Sequence, residues 1–177
     1  MLFLSDLTRS AQPRVNSLSS YFIQQNIGKK NISLDLSKTE AADLIMRLIP
    51  HCDVVVENFR PGVMSRLGLS PERLMQANDR LIVASISGYG ATGPWQNRRA
   101  YAPVVNAETG ITKHQGDAQR RAHANDPHSH GDVYTALEAS AAILAALYQR
   151  EHTSQGQYID ISMAETMLYV NEHAHDQ

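Results

Sequence analysis

Asp53-Val-Val-Val-Glu57, running into Asn58-Phe-Arg-Pro-Gly62, is the stretch on which the fold turns. Three consecutive β-branched residues with no polar alternation match a short parallel strand buried on both faces. Pro61 and Gly62 then break the chain. Upstream, Ala42, Ile45, Met46 and Ile49 recur at helical spacing from Thr39, and Pro50 marks the stop. Downstream, Ser70-Pro-Glu-Arg73 opens a second helix with an N-cap serine and a proline in the first turn. Leu81 to Ile86 is the next strand, and Ile32-Ser-Leu-Asp-Leu36 alternates apolar and polar residues as an earlier one. Strand, helix, strand, helix, strand predicts an α/β fold whose parallel sheet holds residues 32–36, 53–57 and 81–86, flanked by helices.

Beyond the third strand, Ser87-Gly-Tyr-Gly-Ala-Thr-Gly-Pro94 is a glycine-rich loop, and residues 112–131 read as a polar loop with five charged residues and four histidines. Tyr134 to Gln149 is alanine-rich and apolar, a helix expected to pack deep in the domain and to open near Asp132. Gln157 to Ile161 is a further strand candidate, and Ala164 to Val170 begins a last helix. The expected organisation is an irregular connecting segment over 1–31 and one domain over 32–177.

Composition narrows the function classes. With 177 residues, 42% hydrophobic and 19% charged, the chain suits a folded domain with a sizeable core. A formal net charge of −2 gives no electrostatic footprint for nucleic acid or an anionic membrane. Cys52, the only cysteine, excludes an internal disulfide framework and reads as a small apolar residue beside a strand. Met1 to Leu4 is apolar but Asp6 interrupts it, the pattern of neither a signal peptide nor a membrane span. The expected location is the cytoplasm.

Three segments invite chemistry. Asn58 to Gly62 follows a strand, and ligands of open α/β sheets bind beyond the carboxyl ends of strands. There Arg60 and Arg66 either meet phosphates or are solvated, and Phe59 offers a ring face. The glycine loop frees backbone amides to approach an anion, yet matches neither GxGxxG nor a Walker A loop. Asp132 is either an N-cap of the apolar helix or a carboxylate stationed there as a nucleophile. His123, His128 and His130 lie in a polar loop without metal-ligand spacing, and His173 and His175, two apart, do not share a helix face; no metal is expected.

Asn26-x-Gly-Lys-Lys-Asn-Ile-Ser-Leu-Asp-Leu36, Asp53 to Gly62, Ile86 to Pro94 and Ala145-Ala-Leu-Tyr-Gln-Arg-Glu-His-Thr-Ser-Gln-Gly-Gln157 together resemble the CaiB/BaiF family, the family III CoA-transferases. The family includes formyl-CoA transferase, carnitine CoA-transferase and α-methylacyl-CoA racemase, and the likeness runs from about Asn26 onward. It implies a Rossmann-like large domain and transfer of coenzyme A from an acyl-CoA to a carboxylic acid through an aspartyl-CoA thioester. Asp132 stands where the family keeps its nucleophilic aspartate. Leu34, Asn58, Phe59 and Arg66 match positions that contact CoA; a lysine that follows Leu34 in formyl-CoA transferase is Ser37 here, beside Lys38. Tyr101 matches a substrate-side tyrosine, although the acidic residue that often follows is Ala102.

The racemase has histidine at position 101, and a tyrosine with a pKa near ~10 is a poor base, which favours a transferase. A non-catalytic CoA-binding or assembly module and a racemase-type isomerase are the alternatives. The family assembles as interlocked ring-like homodimers. Its members run to roughly twice this length, so the chain corresponds to an N-terminal-half piece: an incomplete large domain without the small one, its isolated activity in question.

Overall fold

A computed structural model describes residues 7–124 and 128–172. The apolar start at Met1 to Leu4, Asp6, His173 and His175 lie outside the described residues. The chain divides into two compact units, Met1–Asp35 and Leu36–Gln177.

The first unit holds a 3-10 turn Leu7–Ser10, strands β1 (Arg14–Val15) and β2 (Leu18–Ser19), and helix α1 (Ser20–Asn26). The two strands form an antiparallel ladder, and Ser19 caps α1 by accepting from the Phe22 amide at 3.2 Å. Regular structure therefore occupies part of the stretch expected to be irregular.

In the second unit the order is α2 (Thr39–Leu48), a 3-10 turn (Ile49–His51), β3 (Val54–Glu57), α3 (Val63–Arg66), α4 (Pro71–Ala77) and β4 (Ile82–Ser87). Then come α5 (Ala102–Glu108), α6 (Ile111–Ala118), α7 (His130–Thr153), β5 (Gln157–Ser162) and α8 (Met163–Val170). The sheet runs β3-β4-β5, both pairs parallel, with Glu57 opposite Ser85 and Ser85 opposite Asp160. It is the parallel α/β sheet with flanking helices that the periodicity predicts.

Three expectations are corrected. Residues 32–36 form no strand; no described strand pairs with them, and short alternation without a ladder partner leaves backbone groups unpaired. The third parallel strand is β5 instead. β3 is not buried on both faces: it is an edge strand in which Val56 is 56% exposed, whereas Ile82, Val83 and Ala84 of central β4 are fully buried. Finally, residues 112–118 of the expected polar loop belong to helix α6 and residues 130–131 to helix α7.

The larger core cluster joins Ala42 and Ile49 to Leu69, Leu74, Leu81 and Val83, with half-buried Cys52 packed against it. A second gathers Val105, Met163 and Met167. Helix α4 begins as its sequence predicts, the Ser70 hydroxyl accepting from the Arg73 amide at 3.4 Å. α7 packs on β4 and β5 through one face only, burying Gly131, Thr135, Ala139, Ala146 and Arg150 rather than lying deep throughout.

Arg150 closes the end of the sheet opposite the loops. Its guanidinium donates to the Arg80 carbonyl at 3.0 Å, the Asp53 carbonyl at 3.4 Å and the Asp53 carboxylate at 2.9 Å. Arg150 is 8% exposed, but the Asp53 side chain is open to water, so the ion pair is screened while the carbonyl bonds are not. Arg150→Ala is expected to lower stability by about 1–3 kcal/mol and Asp53→Asn by less than about 0.5 kcal/mol in urea titrations. Equal losses would refute this division.

The turn into β5 is as tight. A Cβ on Gly156 would stand 1.9 Å from the Leu81 carbonyl oxygen, and the Gly156 amide donates to the Asp79 carbonyl at 2.7 Å.

Candidate functional site

A cavity of ≈ 460 Å³ opens beyond the carboxyl ends of β3, β4 and β5. Its walls include Glu57, Ser85 and Asp160, which the parallel register sets side by side, together with Tyr158 of β5 and Phe59 and Arg60 from the turn after β3. A volume in the few-hundred Å³ range is that of small-molecule and cofactor sites. A smaller cavity of ≈ 80 Å³ shares Phe59, Arg60, Ser87 and Gln96 with it and adds Asn58, Arg98 and Ala100.

The turn after β3 is held by its own carboxylate, Glu57 Oε2 accepting from the Phe59 amide at 2.7 Å. The bond fixes the backbone from which Asn58, Phe59 and Arg60 project. Arg66, on α3, is not part of either cavity's lining, but its guanidinium turns back to lie 3.7 Å from the Cβ position of Gly62, which is. Leu34 lies in the first unit, half-buried, in backbone without regular structure.

The glycine loop forms the other wall. Asp160 Oδ2 accepts from the Ala91 amide at 2.8 Å, and the Gly88 carbonyl accepts from the Ala164 amide at 3.0 Å. Farther along, the Glu108 carboxylate binds both the Tyr89 hydroxyl and Arg98. The Arg98 guanidinium sits 4.5 Å from the Trp95 ring centroid, and Tyr89 meets Trp95 edge to face at 5.6 Å. Burial, followed by the Glu108 carboxylate beside it, pushes the Tyr89 phenol up to about 12. Burial also raises the Tyr158 phenol, with Asp160 and Glu57 adding to the shift and a Ser85 hydrogen bond opposing it.

Sequence reasoning missed this set of contacts. Asp160 offered a signal, a lone carboxylate inside an apolar strand; Glu108 offered none.

Asp132 is not the N-cap. Ser129 takes that position and Asp132 falls in the first turn of α7, exposed. Partial desolvation by the surrounding chain raises the pKa of its carboxyl, against a Ser129 hydrogen bond that lowers it. The helix dipole alone would favour the opposite direction. Tyr101, 70% exposed, is the N-cap of α5. These two belong to touching backbones: a Cβ on Gly131 would stand 3.2 Å from Ala102 Cβ and 3.1 Å from Met163 Sδ. A side chain at position 131 would require the first turns of α5 and α7 to give by a few tenths of an ångström. Neither Asp132 nor Tyr101 lines the two cavities, yet Ala100 does, so residues 96–102 join the cavity wall to the α5–α7 contact.

The histidines separate. His123 pairs with Asp117 at 2.8 Å, holding that carboxyl near 2 together with Lys113, whose hydrogen bond is the larger influence. The rings of His128 and His130 stack with centroids 5.4 Å apart. Among the described residues no helix is long and apolar enough to cross a membrane.

The family model described as CoA-transferase family III matches residues 4–176. The chain is 41% identical over 155 residues to an acyl-CoA transferase of Fusarium pseudograminearum, covering 85% of this chain and 33% of that protein. It is 38% identical over 169 residues to acetyl-CoA:oxalate CoA-transferase of Acetobacter aceti, covering 96% of this chain and 43% of that one. A crystal structure of a CaiB/BaiF family protein from Brucella suis superposes with a TM-score of 0.85 at 33% identity, covering 94% of this chain and 45% of that one. The chain thus spans less than half the length of these relatives.

Proposed function

The chain belongs to CoA-transferase family III, and from that premise we propose that it supplies the CoA cavity and the nucleophile of an enzyme that moves coenzyme A from a small acyl-CoA to a carboxylic acid. The observation that carries this reading is the cavity beyond the carboxyl ends of β3, β4 and β5, with Phe59 in its wall. Phe59 presents a ring to the adenine, Asn58 a polar edge beside it, and Arg60 and Arg66 meet the phosphates. Leu34 is assigned a further contact with the adenine by the family likeness alone. Tyr101 faces the acids. Relatives bearing the names acetyl-CoA:oxalate and formyl-CoA:oxalate CoA-transferase make acetyl-CoA or formyl-CoA the donor class and a dicarboxylate such as oxalate the acceptor class.

The Asp132 carboxylate attacks the acyl carbonyl and the CoA thiolate leaves, giving a mixed anhydride. The thiolate returns to the aspartyl carbonyl, releasing the donor acid and leaving Asp132 as a CoA thioester. The acceptor carboxylate then attacks this thioester, expelling the thiolate and forming a second anhydride. Attack of the thiolate on the acceptor carbonyl makes the new acyl-CoA and frees Asp132. Each half divides one hard transfer into two easier displacements. The raised affinity of Asp132 for a proton makes it a stronger nucleophile once ionised.

The test is to incubate the protein with acetyl-CoA, quench with hydroxylamine and map the peptides by mass spectrometry. The expected result is a hydroxamate on Asp132 alone. A modified residue elsewhere, or no adduct in a protein that binds acetyl-CoA, overturns the proposal.

A further inference from the structure

The cavity wall formed by the glycine loop is fastened from outside the cavity. Residues 88–100 close on themselves as an Ω-loop does: a Cβ on Gly88 would stand 2.0 Å from Ala100 Cβ. The Asp160 carboxylate holds the first part through the Ala91 amide at 2.8 Å. The later part puts Gln96 into the lining of both cavities and Asn97 into that of the larger. Backbone bonds there are local, from the Gln96 amide to the Gly93 carbonyl at 3.4 Å and from the Arg98 amide to the Trp95 carbonyl at 2.8 Å. They shape the turn without anchoring it. Among the described residues, one polar side-chain bond joins residues 92–99 to another element, that of Arg98 to Glu108.

Glu108 is the last residue of α5 and lines neither cavity. A negative charge at a helix C-terminus opposes the helix dipole, so α5 itself gives no reason for a carboxylate there. Its two oxygens are divided between partners on the loop, Oε1 accepting from Arg98 and Oε2 from the Tyr89 hydroxyl. Burial, followed by Glu108 itself, pushes the Tyr89 phenol up to about 12, so it stays a donor across the neutral range. The Arg98 guanidinium lies 4.5 Å from the Trp95 ring centroid and 5.4 Å from that of Tyr89, and Tyr89 meets Trp95 edge to face. A lone exposed ion pair contributes little; a network that ties two loop residues to one carboxylate and packs both against one ring is the exception. On the reading of this cavity as the CoA site, we propose that Glu108 is a positioning residue for CoA: through Tyr89 and Arg98 it clamps the 88–100 loop where Gln96 and Asn97 complete the cavity wall. Released from the clamp, the loop holds its binding-competent position for only part of the time, and apparent affinity falls by that fraction.

Trp95 is the only tryptophan of the chain, so its fluorescence follows the loop without a label. Glu108→Gln keeps the size of the side chain but leaves one accepting oxygen for two donors. Its Trp95 anisotropy should fall below that of the wild type, with unchanged far-ultraviolet circular dichroism. Calorimetric titration with CoA should give binding about tenfold weaker. In a Tyr89→Phe/Arg98→Met background the same substitution should change CoA affinity by less than about twofold, since its partners are gone. A residue that merely stabilises α5 would weaken both backgrounds alike. Wild-type protein that does not bind CoA overturns the cavity reading and this proposal with it. Where the wild type binds CoA, this proposal alone is overturned if Glu108→Gln binds equally well, leaves the Trp95 anisotropy unchanged, or costs as much in the substituted background.

Discussion

Asp132→Asn is expected to lower CoA transfer by at least about a thousandfold while changing CoA affinity by no more than about threefold. An amide cannot form the anhydride, and removal of a covalent nucleophile has effects of this order or larger. The cavity is lined by neither Asp132 nor its immediate neighbours, so binding should survive. Stability separates chemistry from architecture. Partial desolvation raises the pKa of Asp132 in the folded chain above its unfolded value. The proton is therefore held more tightly in the folded state, and stability falls as pH rises from the unfolded value through the raised one. A neutral asparagine escapes that loss, so Asp132→Asn should be at least as stable as the wild type at pH 7. The transfer rate of the wild type should rise with pH along a limb lying above ~3.9, the ordinary aspartate value, since only the carboxylate attacks. Titration of kcat/KM and urea unfolding of both proteins measure these outcomes. Undiminished transfer by the asparagine variant would remove Asp132 from the chemistry, and a large loss of stability would make its role structural.

The second large effect is on stability. Gly156→Ala should cost about 3 kcal/mol or more, because the new methyl meets the backbone of buried Leu81 rather than the tip of a yielding side chain. The turn would have to move away from β4, breaking the Gly156 to Asp79 hydrogen bond at the point where β5 begins to pair. Urea unfolding measures the loss; a value below ~1 kcal/mol would mean that the turn relaxes without disturbing the sheet.

The strands and helices that declare themselves do so through local pattern. Thr39–Leu48 sets Ala42, Ile45 and Met46 against the core at helical spacing, Val54–Glu57 and Ile82–Ser87 stand out as short apolar runs rich in β-branched residues, and Ser70 with Pro71 announces α4. Residues 32–36 show the limit of that logic, since alternation specifies a strand only where a neighbour completes the ladder. α6 shows the converse: Ile-Thr-Lys-His-Gln-Gly-Asp-Ala has no apolar stripe, and Ile111, packed on the second core cluster, ties it to the rest. α7 was legible as a helix and not as a surface, because an alanine-rich apolar sequence looks alike whether one face or two are covered. At the candidate site, Asn58 and Phe59 follow a recognisable strand, but the ties from Asp160 to Ala91 and from Glu108 to Tyr89 and Arg98 join residues with no shared pattern. Such pairs become visible only in three dimensions.

The pairing of Ile82 with Gln157 has a bearing on how the chain reaches this structure. β4 and β5, which frame the cavity with β3, are joined through α5, α6 and α7, so their contact must close a long loop before any ladder bond compensates for it. α7 forms from neighbours in sequence and can precede that closure, whereas β3 and β4 meet across a much shorter span. Folding should therefore be slow for a chain of this size, limited by the arrival of β5 beside β4. Until then Ile82, Val83 and Ala84 present an apolar strand edge to other chains, and synthesis at low temperature or with chaperones would be expected to favour yield over aggregation.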